Sequence, residues 1–121
     1  MSVSVSLGAL GGQVDQFGAW PYVLTVSKDG RPHAVSVEMA WNGSVFQGAG
    51  GRGTMANAAD RPDAVTLLWP PFEPGGYSLI VDGTAVVDGD VVIVTPVTAV
   101  LHRTGPPRED SPSCTSDCIR I

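Results

Sequence analysis

The sequence predicts a mainly β fold, a small closed or split barrel of six strands with one short helix between the third and fourth strands. Apolar segments rich in valine recur at hairpin spacing, and three turns between them carry Asp-Gly or Asn-Gly pairs, which favour tight hairpins. Glycine and proline account for 15 and 10 of the 121 residues, as expected of a turn-rich protein. No internal repeat and no long helical periodicity is visible, so an alternating strand–helix fold is not expected.

The first predicted hairpin follows a short N-terminal region. Residues 1–11 are small and rich in Ser and Gly, and Gln13–Trp20 has a weak helical pattern, so order there is expected only where these residues dock. Pro21 then precedes a β-branched strand at Tyr22–Ser27. A Lys-Asp-Gly-Arg turn leads into the second strand, Pro32–Trp41.

The middle of the chain contains the predicted helix. Ser44–Ala49 is expected to be the third strand, and a glycine-rich loop and a short helix follow it. Pro62 ends the helix because its ring clashes with a continuing helical turn. Ala64–Trp69 is almost wholly apolar, which is typical of a central strand covered on both faces.

The last strands form a long hairpin. Tyr77–Val87 and Asp90–Thr95 are joined by an Asp-Gly turn. Pro96 is expected to interrupt the second of these strands, which resumes at Val97–Leu101.

The chain is expected to be one domain, residues 1–103, followed by a polar tail, residues 104–121. Cys114 and Cys118 both lie in this tail, so the core is built without disulfides and the cytoplasm is the expected compartment. Two cysteines make only half of a metal site, and they are also compatible with a small disulfide loop or an inert tail. No metal is therefore predicted.

Charge and hydropathy exclude several classes of partner. The net charge is −5, and the seven basic residues are scattered, which argues against nucleic acid. No apolar run reaches the ~20 residues that cross a bilayer, and the N-terminus lacks the basic region of a signal peptide. Only 16% of residues are charged, against a typical ~25%. Part of the surface is therefore expected to be covered by another subunit.

The Gly-Arg-Gly-Thr loop is the best candidate for a ligand site. Glycines let backbone N–H groups approach a ligand, and the start of the helix has a partial positive charge. Arg52 adds a guanidinium suited to phosphate. The same residues are compatible with a mobile hairpin tip and a solvated arginine.

The order of these pieces resembles a known family. The segments DGRPHAVSV, GRGT, RPDAVTLLW, GYSLIVDGTAVV and TPVTAVLHR are similar to those of the pyridoxamine 5′-phosphate oxidase-like split barrels, in particular the actinobacterial flavin/deazaflavin-dependent oxidoreductases. The resemblance covers roughly Phe17 to Arg103. It implies a six-stranded split barrel that forms a homodimer and binds FMN or an 8-hydroxy-5-deazaflavin coenzyme at the subunit interface. It also implies hydride transfer to or from a small conjugated substrate.

The resemblance also implies where the cofactor binds. One strand runs beneath the flavin ring, where Ala34 and Ser36 leave room for it, and Trp69 either stacks on a planar ligand or packs at the rim. The loop and the first helical turn surround the phosphate, although the cation that the family commonly places in that turn is missing and Arg52 would replace it. The implied cofactor-binding residues are His33, Val35, Ser36, Ala49, Gly50, Arg52, Gly53, Thr54, Asn57 and Trp69. No catalytic side chain is implied, because the cofactor performs the hydride chemistry.

A binding protein of the same fold is the alternative. Split barrels of this family also hold flavin, haem or lipid without a reaction, and the missing cation favours this hypothesis. A third possibility is a scaffold whose site has been lost and whose dimer remains.

Overall fold

The structure, a computed structural model, describes residues 1–105. It is mainly β, with two short α-helices and a 3-10 turn at Leu7–Ala9. The helices are α1 (Leu10–Phe17) and α2 (Arg52–Asp60). The strands are β1 (Ser2–Val5), β2 (Tyr22–Val26), β3 (Pro32–Ser36), β4 (Ala40–Trp41), β5 (Phe46–Ala49), β6 (Val65–Trp69), β7 (Ser78–Asp88) and β8 (Val91–His102).

All eight strands belong to one curled antiparallel sheet. Its order is β3-β2-β6-β7-β8-β5-β4, and β1 pairs with the end of β8 that β5 leaves free. β7 and β8 form the long hairpin that was predicted, and they pair from Ser78↔His102 to Asp88↔Val91. β6 lies between β2 and β7, which confirms that it is a central strand.

The two ends of the sheet come from one stretch of chain. Pro32–Trp41 was expected to be one strand, but it bends at Val37–Met39, so its first half pairs with β2 and its last two residues pair with β5. The bend is held by hydrogen bonds from Val37 N to the Pro21 carbonyl (3.1 Å) and from Met39 N to the Ala19 carbonyl (2.8 Å). This segment therefore links the two edges of the sheet and curls it.

The prediction of six strands and one helix was wrong in number. The bend divides one predicted strand into β3 and β4, and the small N-terminal residues add β1 by docking on β8. Pro96 does not interrupt β8, because a bulge opposite Asp82 and Gly83 absorbs the irregular pairing. The weak pattern at Gln13–Trp20 belongs to α1, which lies a few residues earlier and ends at Gly18, where φ is +94°.

The hydrophobic core fills the inside of the curl. Buried side chains alternate along β6 and β7, and α1 contributes Leu10 and Val14. Three aromatic rings pack in a row, with centroids 4.5 Å apart for Trp41–Phe46 and 5.5 Å apart for Phe46–Trp69. These rings pack β4, β5 and β6 together inside the curl.

α2 is tied to the β2–β3 hairpin at two points. Asn57 Nδ2 donates to Thr25 Oγ1 at 3.1 Å in the buried interface. At the other end, the Arg61 guanidinium donates to the carbonyls of Ser27 and Lys28, each at 2.8 Å. Because these bonds fix the position of α2, its N-terminus is held beside β3.

Candidate functional site

A cavity of about 460 Å³ lies between the edge strand β3 and the N-terminus of α2. Its size is within the range of about 300–1,000 Å³ that is usual for ligand sites. None of its lining residues is a lysine or an arginine. The lining residues are Trp20, His33, Val35, Ser36, Val37, Glu38, Ala49, Gly51, Gly53 and Thr54.

The N-terminus of α2 presents unpaired backbone donors to this cavity. The first helical hydrogen bond runs from Met55 N to the Gly51 carbonyl at 2.9 Å, so the four amides of residues 51–54 have no helical acceptor. Within residues 1–105, no other backbone carbonyl accepts from them. The first turn contains no acidic residue and no side-chain cap. The partial positive charge of the helix end is therefore not neutralised by the chain itself.

Two buried side-chain atoms of the cavity wall have no hydrogen-bond partner within the described residues. They are Thr54 Oγ1 and His33 Nδ1, and the Thr54 residue is only 1% exposed. Most buried polar atoms in proteins are paired, and an unpaired one costs about 1–3 kcal/mol. Both residues line the same cavity. The two atoms themselves are closed to water, so a ligand with polar groups would pair with them only after the side chains turn toward it.

Glycine at position 53 allows the close approach of α2 to β3. A Cβ on Gly53 would lie 3.3 Å from His33 Nε2, which is tighter than ordinary contact. Gly50 has a packing role instead, since a Cβ there would lie 3.0 Å from Met55 Sδ and 3.2 Å from Thr54 Cγ2. Gly53 therefore lets the start of α2 lie close to β3 beside the cavity, and Gly50 leaves room for the side chains of α2.

The free edge of β3 adds backbone groups. β3 pairs with β2 on one side, and Val37 donates to Pro21 in continuation of that register. Since hydrogen bonding alternates along an antiparallel edge, the N–H and C=O of Ser36 face away from β2. Ala34, which was expected to leave room for a ring, is exposed and is not part of the cavity wall.

The structure brings together six of the ten predicted site residues. His33, Val35, Ser36, Ala49, Gly53 and Thr54 line the cavity, and Gly50, Arg52, Asn57 and Trp69 do not.

The four remaining residues have other surroundings. Arg52 is the first residue of α2 and is exposed beside the cavity. Asn57 is used in its hydrogen bond to Thr25. Trp69 is 2% exposed, packs on Phe46 and donates to the Gly18 carbonyl at 2.8 Å. Its position in the core, rather than at the mouth of the barrel, follows from the inward face that it shares with Val65 and Leu67.

Sequence reasoning missed Trp20 and Glu38, which both line the cavity. They lie on opposite strands, between the hydrogen-bonded pairs Pro21–Val37 and Ala19–Met39. The register of β2 and β3, if extended by two residues beyond Tyr22↔Ser36, pairs them. An extension of the predicted hairpin would have found this pair, but Pro21 was interpreted as the start of the strand.

Other site chemistries have less support. Within residues 1–105, no group of three or more His, Cys, Asp or Glu side chains is placed to hold a metal ion. In the same part of the chain, no helix is long and apolar enough to cross a membrane. Cys114 and Cys118 lie outside the described residues.

Comparison with known proteins identifies relatives of the chain. It is 39% identical, over a 115-residue alignment, to the uncharacterized protein Mb0449c of Mycobacterium bovis and to the uncharacterized protein MT0457 of Mycobacterium tuberculosis. Each alignment covers 81% of this chain and 79% of the relative. The chain belongs to the family of these mycobacterial proteins. It matches no protein-family model.

Several solved structures share the fold at low sequence identity. The FAD-binding protein from Mycobacterium smegmatis is 19% identical, with a TM-score of 0.60 over 85% of this chain and 100% of that one. An F420 reductase is 19% identical, with a TM-score of 0.55 over 67% and 88%. A putative pyridoxamine 5′-phosphate oxidase from Listeria innocua is 16% identical, with a TM-score of 0.58 over 77% and 94%.

These likenesses confirm the predicted pyridoxamine 5′-phosphate oxidase-like fold. At identities of 16–19% they show the fold alone. Membership of the actinobacterial flavin/deazaflavin-dependent oxidoreductases stays a prediction.

Proposed function

We propose that the chain is a flavin- or deazaflavin-dependent oxidoreductase whose cofactor binds in the cavity between β3 and α2. In this proposal the cofactor is FMN or an 8-hydroxy-5-deazaflavin coenzyme, and hydride passes to or from a small conjugated substrate. The observation that carries the proposal is a cavity of ligand size at the N-terminus of α2, where the amides of residues 51–54 have no backbone acceptor within the described residues. Two residues of its lining, Thr54 and His33, also hold a buried polar atom without a partner there. Similarity of fold to an F420 reductase and an FAD-binding protein supports the class of cofactor.

The phosphate end of the cofactor fits the start of α2. Phosphate oxygens would accept hydrogen bonds from the amides of residues 51–54, which lack backbone acceptors within the described residues. The Thr54 hydroxyl would add a further donor once its side chain turns toward the cavity. Arg52 is exposed next to these amides and would add a long-range attraction that salt weakens. Arg52 is not on the cavity wall. We therefore assign most of the binding free energy of the phosphate to the uncharged backbone amides.

The ring end of the cofactor fits the wall formed by β3. Val35 offers an apolar surface, and the outward-facing N–H and C=O of Ser36 match the edge of a heterocycle that both donates and accepts hydrogen bonds. His33 Nδ1, which is closed to water in the free chain, would pair with a polar ring atom once the imidazole turns. When bound, the flavin-type ring supplies the hydride chemistry. The residues of this chain bind the ring, orient it and exclude water.

A row of apolar side chains supports the proposal of a homodimer. Tyr22, Leu68, Ile80 and Val100 are neighbours across four strands on the outer face of the sheet. Tyr22 is 44% exposed and the others are half-buried. Such a row is a candidate contact with a second copy. Size-exclusion chromatography with light scattering is expected to give a dimer, and a monomer at micromolar concentration would remove the subunit-interface site from the proposal.

Titration of the purified chain with FMN and with the deazaflavin coenzyme, followed by cofactor fluorescence, tests the site. Thr54→Val is expected to weaken binding about tenfold or more, because a hydrogen bond to a charged group contributes about 1.5–3 kcal/mol. Arg52→Ala is expected to weaken binding by a smaller factor that falls as salt rises. Thr95→Val, at an exposed position of β8 away from the cavity, is the matched control and should bind as the wild type does.

The outcomes separate the candidate functions. Saturable binding that depends on Thr54, together with turnover of a reducible substrate, supports the oxidoreductase. The same binding with no turnover of any substrate supports a flavin carrier. Failure of both cofactors to bind, with haem or fatty acid recovered from the purified protein, would replace the proposal by a carrier of that ligand.

A further inference from the structure

Trp20 and Glu38 form a directly opposed pair at the mouth of the cavity. The backbone hydrogen bonds on either side of them measure 2.8 and 3.1 Å and continue the register of β2 and β3. Counted along this register, Trp20 and Glu38 occupy a position without hydrogen bonds between the two backbones. Opposed side chains approach most closely at such positions. Both residues line the cavity.

Neither side chain makes a hydrogen bond or an ion pair within residues 1–105. Trp20 is 61% exposed, a large apolar surface to leave in water. Glu38 is exposed, and within residues 1–105 its carboxylate makes no hydrogen bond and no salt bridge. An indole face is the side chain that attracts cations best, and a carboxylate beside it adds direct charge attraction.

The charges at this mouth are opposite to those at the start of α2. The helix end carries partial positive charge and free N–H donors, whereas the mouth carries a full negative charge and no lysine or arginine lines the cavity. An anionic cofactor group gains nothing from Glu38. A second ligand with a positive charge would be attracted to this carboxylate.

We infer that Trp20 and Glu38 form a substrate subsite that selects organic cations, such as quaternary ammonium groups and protonated amines. The inference rests on the proposed function, because it assigns the second ligand of the same cavity. The indole face covers the cation and its apolar substituents, and the Glu38 carboxylate supplies the counter-charge.

A second cavity of about 310 Å³ provides a comparison. Phe17, Phe72, Tyr77 and Glu73 are among its lining residues. There the Arg103 guanidinium already lies over the Tyr77 ring, 4.9 Å from its centroid. The Tyr77 ring of that cavity thus has a cation of the chain itself, whereas Trp20 and Glu38 have none within the described residues.

The test uses choline and its neutral isostere 3,3-dimethyl-1-butanol, each titrated into the ¹⁵N-labelled full chain. The indole N–H signals of the three tryptophans are followed, and Trp20→Phe assigns the signal of Trp20. Choline is expected to shift the Trp20 signal saturably and to bind about fivefold or more tightly than the isostere. Glu38→Gln is expected to weaken choline binding about fivefold, while Glu73→Gln, the control in the second cavity, leaves it unchanged.

Three outcomes would overturn the inference. They are equal affinity for the isostere, unchanged choline binding in Glu38→Gln, or a loss of binding in Glu73→Gln instead. Cofactor fluorescence, measured on the same variants, keeps this inference separate from the proposed function. If FMN or the deazaflavin coenzyme binds but choline does not, only the cation subsite is wrong. If neither cofactor binds, the proposed function fails independently of the choline result.

Discussion

Replacing Thr54 with valine is expected to stabilise the free protein, although it removes a polar group from the candidate site. Thr54 is 1% exposed, and its hydroxyl has no partner in the described residues. Valine has nearly the same shape and removes the buried, unpaired oxygen. Because such an atom costs about 1–3 kcal/mol, the free energy of unfolding should rise by about 1–2 kcal/mol, or roughly 4–8 °C in Tm.

Thr25→Val is the matched control, since it makes the same substitution at a paired site. Thr25 is 2% exposed and its hydroxyl accepts a hydrogen bond from Asn57. Here valine leaves the buried Asn57 amide unpaired, so the free energy of unfolding should fall by about 1–3 kcal/mol. Urea unfolding without ligand measures the free energy of unfolding of the wild type and both variants. It should rise in Thr54→Val and fall in Thr25→Val. Equal destabilisation by both variants would refute the reasoning.

Saturating cofactor should remove most of the stability advantage of Thr54→Val. A ligand at 100 times its Kd stabilises the wild type by about 2.7 kcal/mol. A tenfold weaker variant gains about 1.4 kcal/mol less at the same concentration. The stability advantage of Thr54→Val should therefore shrink to near zero or change sign when the cofactor is added. An advantage that stays constant would show that the hydroxyl makes no contact with the ligand.

Three further substitutions test the framework around the site. Arg61→Ala removes hydrogen bonds to two hairpin carbonyls and is expected to lower the free energy of unfolding by about 1–3 kcal/mol in urea; Arg61→Lys should recover only part of it. Gly48→Ala places a Cβ against the Glu38 carbonyl oxygen and should lower Tm by more than about 10 °C, whereas a small effect would mean that the bend of Pro32–Trp41 is mobile. The pKa of Asp29 lies below its ordinary value of 3.8, mainly because Ser27 Oγ donates a hydrogen bond to the carboxylate. The ionised Asp29 carboxylate therefore stabilises the fold above pH 3.8, and this stabilisation is lost as the pH falls through the lowered pKa. In urea unfolding, Asp29→Asn should differ from the wild type more at pH 7 than at pH 3.

Local patterns in the sequence were sufficient to find most of the strands and the region of the site. The β7–β8 hairpin follows from an Asp-Gly turn between valine-rich segments, and α2 follows from a short polar stretch that ends before Pro62. The resemblance to a known family placed six residues that the structure brings to one cavity. These features depend on neighbours in the sequence or on a preserved order of segments, so no long-range information is needed.

Other features depend on distant parts of the chain, and only the tertiary structure decided them. The bend that divides Pro32–Trp41 needs Gly48, which leaves room for a carbonyl oxygen. The burial of Trp69 needs the Gly18 carbonyl as its acceptor, 51 residues away.

The sequence by itself therefore determined most of the strands and the glycine-rich start of α2. The tertiary structure decided which polar atoms are buried without partners and which side chains meet across the cavity. Thr54 and His33 each have a buried, unpaired polar atom because α2 packs on β3. Trp20 lies opposite Glu38 because the hairpin extends past Pro21. The physical reason is that desolvation and side-chain proximity are properties of the packed chain, and a linear pattern of residues records neither.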